Sequence, residues 1–261
     1  MRIARFEVGG LARYGIVEAD SVVEIRGEVF GSFDTTSTSH ALSDVHLVAP
    51  VTPSQMFGPG VNFADHLHEA TSITGQAEMA ETPQPWHKAV SAIINPGDDI
   101  VIPYDSTTGI QHEGECLAVI GKTARRVSPE DAWDYILGYT CGNDISERTW
   151  QRNDNSMWRG KGSDTFAPIG PWIDTDFDPR SGGDMIVRLN GEEVQRASTS
   201  DMYFNFGVLV SYISQQMTLK PGDVVWSGTT GDPRNMVPGD KVEVEVEGIG
   251  ILTNPVAMEQ K

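Results

Sequence analysis

Ile110-Gln111-His112-Glu113-Gly114-Glu115-Cys116-Leu117-Ala118-Val119-Ile120-Gly121 is the most informative segment of this chain. It predicts a strand, and side chains two residues apart on a strand point to the same face. Glu113 and Glu115 would then project together, which is costly for two like charges unless a cation or a proton lies between them. The alternative is a solvated acidic strand edge, as we expect for Glu243 and Glu245.

A third carboxylate, Asp144, follows the apolar segment Tyr139-Thr140-Cys141-Gly142-Asn143, where a strand is predicted to run into a turn and the start of a helix. Three carboxylates without a cluster of thiols or imidazoles suit a hard cation such as Mg²⁺ or Mn²⁺. Asp144 could equally cap the helix, a common role for aspartate. The spacing itself does not separate these interpretations.

Basic residues are concentrated directly after this point. Arg148, Arg152, Arg159 and Lys161 lie close together with a single acid, Asp154, among them. Glycine and proline residues follow Lys161 and predict that it lies on a loop. A lysine so placed can bind a carboxylate or polarise a carbonyl group, and the alternative is a surface ion pair.

His66 and Glu69 form a further candidate pair. On a helix, residues three apart lie side by side, as a general base and the carboxylate that orients it need to do. His and Glu also fall three apart by chance, so the spacing alone is weak evidence for a catalytic pair.

Outside these segments, the pattern is mostly that of short strands. Residues 2–26 alternate and break at turns, which predicts a small antiparallel sheet, and the polar residues 32–43 predict a linker or a surface loop. Asn190-Gly191 predicts a hairpin between two strands. Val242, Val244 and Val246 alternate with glutamates and predict a strand with one buried face.

Two helices are predicted. Ser128-Pro129-Glu130-Asp131 has an N-cap hydroxyl and a proline at the first helical position, so a helix is expected to about Leu137. Apolar residues recur at helical spacing over 201–217. Because strands outnumber helices and do not alternate regularly with them, we predict an α+β, mostly β fold rather than a Rossmann fold or a parallel barrel.

Composition limits the classes of function. The 261 residues include 37 acids and 19 bases, a formal charge of -18, and 39% of them are hydrophobic. The acidic excess argues against nucleic acid and anionic membrane surfaces as partners. Cys116 and Cys141 are expected to be buried free thiols. With no signal-peptide pattern and no apolar run long enough for a bilayer, a soluble cytoplasmic protein is expected.

Taken in order, six blocks of the sequence resemble the fumarylacetoacetate hydrolase family, and in particular its small bacterial branch of acylpyruvate hydrolases and 2-oxo-diacid isomerases or decarboxylases. The likeness covers roughly residues 53–257. The matching blocks are Gly60-x-Asn62-Phe63-x-x-His66-x-x-Glu69, His112-Glu113-x-Glu115-x-x-x-Val119-Ile120-Gly121, Asn143-Asp144-Ile145-Ser146-Glu147-Arg148-x-x-Gln151, Lys161-Gly162-Ser163-Asp164-Thr165-Phe166-x-Pro168-x-Gly170-Pro171, Pro221-Gly222-Asp223-Val224-Val225-x-Ser227-Gly228-Thr229 and Gly248-Ile249-Gly250-x-Leu252-x-Asn254.

The resemblance implies roles for individual residues. Glu113, Glu115 and Asp144 would bind one Mg²⁺ or Mn²⁺ per subunit, and His66 with Glu69 would activate a water molecule. Lys161 would stabilise developing negative charge. The residues implied to bind the substrate are Lys88, Arg148, Gln151, Thr165 and Thr229.

The resemblance also implies an architecture. A small N-terminal β domain, residues 1–50, would precede a catalytic metal-binding β-roll domain, residues 51–261, and the protein would be a homodimer. The chain departs from the family at Lys88-Ala89, where a Lys-Pro pair is usual, and at Gly228-Thr229-Thr230-Gly231, where a Gly-Thr-Pro is usual. The stretch between His66 and Lys88 is longer than in the shortest relatives.

The departures lie where the acyl part of a substrate would be recognised. Trp86, Met157 and Trp158 are candidates for that acyl pocket, and ordinary packing in the core or at a dimer interface is the alternative for all three.

The leading functional hypothesis is metal-dependent hydrolysis of a carbon-carbon bond in a 2,4-dioxo acid, an acylpyruvate that releases pyruvate, in the catabolism of aromatic or sugar-acid compounds. The partner would then be a small anionic 2-oxo acid. The first alternative uses the same site to decarboxylate or isomerise a 2-oxo diacid of the oxaloacetate or 2-oxohept-3-ene-1,7-dioate type. The second is a non-catalytic metal-dependent binding protein.

Overall fold

Strands form most of the regular structure, which confirms the predicted α+β, mostly β class. The structure is a computed structural model that describes residues 1–67, 71 and 78–260. The strands before the candidate acids are β1 Arg2–Val8, β2 Leu11–Glu18, β3 Ser21–Gly27, β4 Phe33–Ala41, β5 His46–Val48, β6 Met56–Gly58, β7 Trp86–Lys88, β8 Ile93–Ile94, β9 Ile100–Ile102 and β10 Ile110–Gln111. The remaining strands are β11 Gly114–Ile120, β12 Ile136–Asn143, β13 Ala167–Asp174, β14 Asp184–Leu189, β15 Glu192–Ser198, β16 Val224–Trp226, β17 Asn235–Met236, β18 Lys241–Val246 and β19 Gly250–Met258.

Helices are few and short in the described part of the chain. The α-helices are α1 Arg148–Asn153, α2 Trp158–Gly162 and α3 Phe206–Gln216. The 3-10 helices are Leu42–Asp44, Ala64–His66, Val90–Ala92, Asp131–Tyr135, Pro179–Ser181 and Thr199–Asp201. No helix of the described residues is long and apolar enough to cross a bilayer.

The strands form two main sheets. A large mixed sheet has the order β4-β3-β2-β1-β13-β12-β11-β16-β6-β7, with β5 and β8 attached to β1 and β13. A five-stranded sheet, β15-β14-β18-β19-β9, packs against β11, β12 and β13. Every residue of β11 is buried, because the large sheet flanks this strand and the second sheet covers it. The candidate acids therefore lie next to the most enclosed part of the molecule.

Several predicted elements are confirmed. Residues 2–26 form the antiparallel strands β1 to β3, and Asn190-Gly191, both with positive φ, closes the hairpin of β14 and β15. The valines of β18 are buried. Helix α3 begins at Phe206, where the Asn205 side chain accepts a hydrogen bond from Val208 N at 3.1 Å.

The polar stretch 32–43 is not a loop, because most of it forms the edge strand β4. Its residues are mostly exposed, so their polarity indicates a solvated strand rather than a linker. Strand β1 also pairs with β13 through Arg2 and Ile3, so the N-terminal strands continue the large sheet. The division at residue 50 stays a prediction.

The helix predicted after Ser128 is also corrected. Only Asp131–Tyr135 is helical, as a 3-10 helix, and β12 begins at Ile136. Tyr135 O accepts a hydrogen bond from Gly121 N at 2.7 Å. The helix therefore ends here because the chain begins to pair with the end of β11, where Ile136 lies opposite Ile120. The long strand predicted over 110–121 is divided, since His112 and Glu113 separate β10 from β11.

Candidate active site

The three candidate acids meet where strand β11 begins and strand β12 ends, and both are inner strands of the large sheet. Glu113 directly precedes β11, and Asp144 directly follows β12, its antiparallel neighbour, in which Asn143 lies opposite Gly114. Asp144 N donates to Glu113 O at 2.8 Å. One carboxylate oxygen from each of Glu113, Glu115 and Asp144 lies within 4.8 Å of the others, and all three side chains are buried. Asp144 is therefore not a helix cap; Glu147 caps α1 by accepting from Trp150 N at 2.5 Å.

Two lysines balance part of this negative charge. Lys161 Nζ donates to Glu113 Oε2 and, at 2.6 Å, to Asp144 Oδ2. Lys88 Nζ donates to Asp144 Oδ1 at 2.5 Å and to the Lys161 carbonyl at 2.6 Å. Both lysines are buried. The Lys161 ammonium group thus bridges two of the three acids.

Arg148 contributes a third positive charge, behind Glu113. Its Nη2 lies 2.6 Å from Glu113 Oε1, but neither atom makes a hydrogen bond of acceptable geometry, so the contact is an ion pair by proximity. Arg148 Nε donates to Gln111 Oε1 at 2.6 Å, and Nη1 donates to Gln151 Oε1 at 2.8 Å. The guanidinium group therefore fixes both Glu113 and Gln151.

Glu115 differs from its neighbours. Its Oε2 accepts a hydrogen bond from Gly228 N at 2.7 Å, and among the described residues no Lys or Arg forms an ion pair with it. Burial, reinforced by Asp144 and Glu113, raises the pKa of Glu115 well above its usual range. Burial also opposes the charge of Glu113, but Arg148 and Lys161 outweigh it and lower the pKa of that carboxyl.

The lysine pKa values shift in opposite directions. Burial lowers the pKa of Lys88, and Asp144 only partly offsets this. Burial acts in the same sense on Lys161, but Asp144 and Glu113 outweigh it and raise its pKa. Lys161 is therefore the more firmly charged of the two.

The donor set fits a hard divalent cation. All three side chains offer carboxylate oxygens, the ligands that Mg²⁺ and Mn²⁺ prefer. Glu115 carries an uncompensated charge unless it binds a proton or a cation. A buried acidic triad of this kind could bind a metal ion, and no thiol or imidazole of the described residues is part of it.

These acids form the floor of a cavity of about 260 Å³. Side chains from the β6–β7 region, the α1–α2 region and the loop after β16 complete its lining. The described lining residues are Pro59, Gly60, Val61, His66, Gln84, Trp86, Glu113, Glu115, Asp144, Gln151, Met157, Lys161, Gly228 and Thr229.

His66 lies at this cavity, at the end of the 3-10 helix Ala64–His66. The loop after β16 supports that turn, because a Cβ at Gly231 would come within 2.7 Å of Asp65 O. Gly228 has a φ of 80°, which lets its N–H reach Glu115. Glu69, the predicted partner of His66, lies outside the described residues.

The predicted substrate-binding residues divide into two groups. Gln151 and Thr229 line the cavity, whereas Lys88 and Arg148 are buried and lie outside its described lining, where they contact the acids. Thr165 is also outside it, and its hydroxyl accepts a hydrogen bond from Val101 N at 2.9 Å. The structure thus gives Thr165 a role in positioning the chain.

The structure divides the three residues predicted for the acyl pocket. Trp86 and Met157 line the cavity, but Trp158 is 69% exposed and lies outside it. Met157 precedes α2 and Trp158 begins that helix, so the two neighbouring side chains face different surroundings. Lys161, predicted on a loop, lies within α2, while glycine and proline shape the chain that follows.

Sequence reasoning missed the residues that complete the wall. Pro59, Val61 and Gln84 line the cavity without carrying a chemical signature, although Val61 lies inside the matched block that begins at Gly60. The contact of Gly228 N with Glu115 is a main-chain contact, and only the matched block around Gly228 pointed to this loop.

Comparisons with known proteins agree with this geometry. A family model described as "Fumarylacetoacetate (FAA) hydrolase C-terminal" matches residues 55–257, and one described as "Rv2993c-like, N-terminal" matches residues 1–50. The chain is 41% identical over 240 residues to the Mycobacterium tuberculosis protein Rv2993c, covering 91% of this chain and 88% of that protein. It is 35% identical over 235 residues to the mitochondrial oxaloacetate tautomerase fahd2 of Xenopus laevis, covering 84% of this chain and 72% of that one.

Two solved structures bear on the chemistry. A 5-carboxymethyl-2-hydroxymuconate delta-isomerase from Mycobacterium smegmatis matches with a TM-score of 0.91 and 38% identity, over 99% of this chain and 100% of that one. A maleylpyruvate hydrolase from Sphingobium sp. SYK-6, in complex with manganese(II) ion and pyruvate, matches with a TM-score of 0.81 and 28% identity, over 100% of both chains.

Proposed function

The chain belongs to the fumarylacetoacetate hydrolase family of hydrolases and isomerases, and we propose that it is a divalent-metal-dependent enzyme that hydrolyses a carbon-carbon bond in a 2,4-dioxo acid. The products are pyruvate and the carboxylic acid derived from the acyl group. The observation that carries the proposal is the buried triad of Glu113, Glu115 and Asp144 in one cavity with Lys161 and His66.

Glu113, Glu115 and Asp144 are the residues that would hold the Mg²⁺ or Mn²⁺ ion. When bound, such an ion supplies a positive charge that orients the carboxylate and 2-oxo group of the substrate and stabilises negative charge on the latter. The presence of manganese and pyruvate in a related hydrolase supports this assignment.

Residues of the chain itself would carry out the attack of water and the cleavage of the carbon-carbon bond. His66 accepts a proton from a water molecule, whose oxygen attacks the C4 carbonyl of the substrate. The bond between C3 and C4 then breaks, and its electron pair forms the enolate of pyruvate. A proton delivered to C3 completes the reaction, so one water molecule is consumed.

Lys161 stabilises the negative charge of the developing enolate. Its Nζ already lies among the carboxylates of the floor, and Asp144 and Glu113 keep it charged. A fixed ammonium group stabilises charge that develops in a water-poor cavity more effectively than it would in water.

Gln151, on the lining, can donate a hydrogen bond from its amide nitrogen to a substrate oxygen, because Arg148 engages its Oε1. The Thr229 hydroxyl, also on the lining, donates to Gly114 O at 3.1 Å, so it can only accept a hydrogen bond from the substrate.

The direct test is pyruvate release. Purified protein supplied with Mn²⁺ or Mg²⁺ should release pyruvate from acetylpyruvate or a related acylpyruvate, and chelation should abolish the reaction. A complete lack of pyruvate from a panel of acylpyruvates, with metal binding demonstrated, would overturn the proposal.

A second candidate is isomerisation or decarboxylation of a 2-oxo diacid, which the similarity to an oxaloacetate tautomerase favours. It needs the same stabilisation of an enolate but no attacking water, so His66 would only transfer protons. A His66→Ala variant that loses hydrolysis but keeps measurable tautomerisation of oxaloacetate would identify the second activity.

A further inference from the structure

Gln195 of β15 lies outside the described lining of the cavity, but it contacts the loop that supports the turn carrying His66. We infer that Gln195 is a positioning residue, which holds this loop against the turn and so fixes His66 relative to the acids. The inference rests on the proposed function, in which His66 accepts a proton from the attacking water.

The side chain of Gln195 is buried at a place where a polar group needs partners. It lies on β15, an end strand of the five-stranded sheet, and is 6% exposed, whereas every other residue of that strand is exposed or half-buried. Its Nε2 donates to Thr230 O at 2.7 Å and to Gly231 O at 3.1 Å. A buried amide is costly unless it is hydrogen-bonded, so these two carbonyls stabilise Gln195 as much as it stabilises them. Thr230 and Gly231 are called the loop tip below.

The loop after β16 is anchored on both sides of this tip. Before the tip, Gly228 N donates to Glu115 Oε2 at 2.7 Å. After the tip, Arg234 N donates to His112 Nε2 at 3.1 Å. Both anchors lie on the segment that carries Glu113 and Glu115, and Gln195 holds the tip between them from the second sheet.

The loop contacts the turn of His66 at both of its ends. Before the turn, Asn62 Nδ2 donates to Ser227 O at 2.6 Å. At its end, a Cβ on Gly231 would come within 2.7 Å of Asp65 O and 3.7 Å of His66 N. The position of His66 therefore depends on the position of the loop tip. A displacement of about 1 Å at a reacting group can lower a rate by about 10²-fold.

The other end of the amide faces the residue next to the acids. His112 precedes Glu113, and its Nε2 accepts from Arg234 N, so the proton of the neutral ring lies on Nδ1. Nδ1 lies beside the Gln195 amide, although neither it nor Gln195 Oε1 makes a hydrogen bond of acceptable geometry with the described residues. Gln195 thus lies between the acid-bearing segment and the loop tip, and it contacts both.

Replacing the amide tests this role. Gln195→Met keeps the length of the side chain but cannot donate to the loop tip, so kcat for acetylpyruvate hydrolysis with Mn²⁺ should fall by about 10²-fold. Affinities for Mn²⁺ and for oxalate, measured by calorimetry, should remain close to wild type, because the acids keep their places. Gln215→Met is the matched control: it removes an amide that donates to Val127 O at 3.0 Å, outside the cavity lining, and kcat should not change.

A double-mutant cycle with His66→Ala separates positioning from a general structural role. In that background, Gln195→Met should lower the residual release of pyruvate by less than about twofold, since it acts through a group already removed. Equal fold losses in both backgrounds, or a loss of Mn²⁺ affinity that parallels the loss of kcat, would overturn the inference and leave the proposed function intact. Wild-type kcat in His66→Ala would instead overturn the role of His66 in the proposed function.

Gly231→Ala tests the contact itself and leaves the amide in place. Its Cβ would meet Asp65 O, so the turn must move, and kcat should fall by about tenfold or more in the wild-type background but not in His66→Ala. Gly31→Ala is the control, because a Cβ there has its nearest listed neighbour at 3.5 Å. Wild-type kcat in Gly231→Ala would contradict the inference, and this variant decides the question if Gln195→Met does not fold.

Discussion

Two pairs of glutamates with the same spacing occupy opposite environments in this molecule. Glu113 and Glu115 are each 2% exposed at the start of β11. Glu243 and Glu245 lie on β18 with 20% and 25% of their side-chain surface exposed. Both pairs need positive partners, but the buried pair also loses its contact with water.

The strands explain the difference. On β18, valines occupy the inward face at every second position, and the glutamates take the outward face. On β11, both faces are covered, so every residue from Gly114 to Ile120 is buried. A strand buried on both faces has a continuous apolar run rather than an alternation. The residues that follow an acidic pair therefore indicate its environment better than the pair itself.

The largest difference between the two pairs should appear in metal binding and catalysis. Glu115→Gln removes a charged ligand at the point where the acids carry an uncompensated charge. We expect kcat/KM for acylpyruvate hydrolysis to fall by about 10³-fold or more, since the charge stabilisation at stake is worth several kcal/mol. The increase in Tm that Mn²⁺ gives the wild-type protein should also disappear.

Glu243→Gln is the matched control for that variant. Both its activity and its Mn²⁺-dependent increase in Tm should remain close to wild type. Equal losses in the two variants would mean that the buried pair has no special relation to the metal ion.

The lysine partners of the two pairs give the next contrast. Lys161 contacts Glu113, as Lys241 contacts Glu243 at 2.8 Å. Lys161→Met should reduce kcat/KM by about 10²-fold, because it removes a fixed charge aimed at the enolate. Mn²⁺ affinity measured by calorimetry should be maintained or increased, since the ammonium group bridges two of the ligands in the absence of metal.

Lys241→Met should change neither quantity measurably, because the pair on β18 is partly solvated. If Lys161→Met lost Mn²⁺ binding together with activity, the lysine would be holding the ligands in place rather than stabilising the reaction.

The sequence predicted the strand-rich fold because alternation and turn residues are local signals. The hairpin at Asn190-Gly191 and the buried valines of β18 are examples. It could not predict that polar residues 33–41 form β4, since an edge strand with solvated side chains has nearly the composition of a loop. The corrected helix after Ser128 has a similar cause: pairing within the sheet overrides a good capping sequence.

For the site, the sequence predicted which residues carry reactive or charged groups better than it predicted where each side chain lies. The acids, Lys161 and His66 carry distinctive groups, and the structure brings them to one cavity. Their exact roles stay predictions, as do the homodimer and the cytoplasmic location. Val61 and Gln84 were missed because neutral side chains at a cavity have no signature in sequence. Trp158 lies outside the cavity although its neighbour Met157 lines it, and a sequence pattern does not separate two adjacent residues at the start of a short helix.

The two thiols of β11 and β12 report whether water is excluded from the interior beside Glu113 and Glu115. Cys141 lies opposite Cys116, the residue after Glu115, and burial raises the pKa of Cys141 to about 12. Above about pH 9 the unfolded chain loses a thiol proton that the native protein keeps, so stability should fall as pH rises. The slope is about 1.4 kcal/mol per pH unit for one such group.

Urea unfolding between pH 8 and pH 10.5 measures this slope, and Cys141→Ala should reduce it. Both thiols of the native protein should also resist a thiol reagent at pH 8 and react fully in urea. Rapid labelling of the native protein would show that water reaches this interior and would weaken the contrast with β18.

The smallest effect is expected for the ion pair on the solvated face of β18. Glu245 Oε2 lies 2.6 Å from Arg188 Nη1, and both side chains are about a quarter exposed. Partial solvation limits such a pair to about 0.5–1 kcal/mol, so Glu245→Gln should lower the free energy of unfolding by no more than that. A double-mutant cycle with Arg188→Met isolates the coupling, which should shrink in high salt because screening weakens exposed pairs. A coupling above about 2 kcal/mol that salt does not reduce would be the behaviour of a buried ion pair. Solvent exposure would then not explain the difference between the glutamates of β18 and the buried acids.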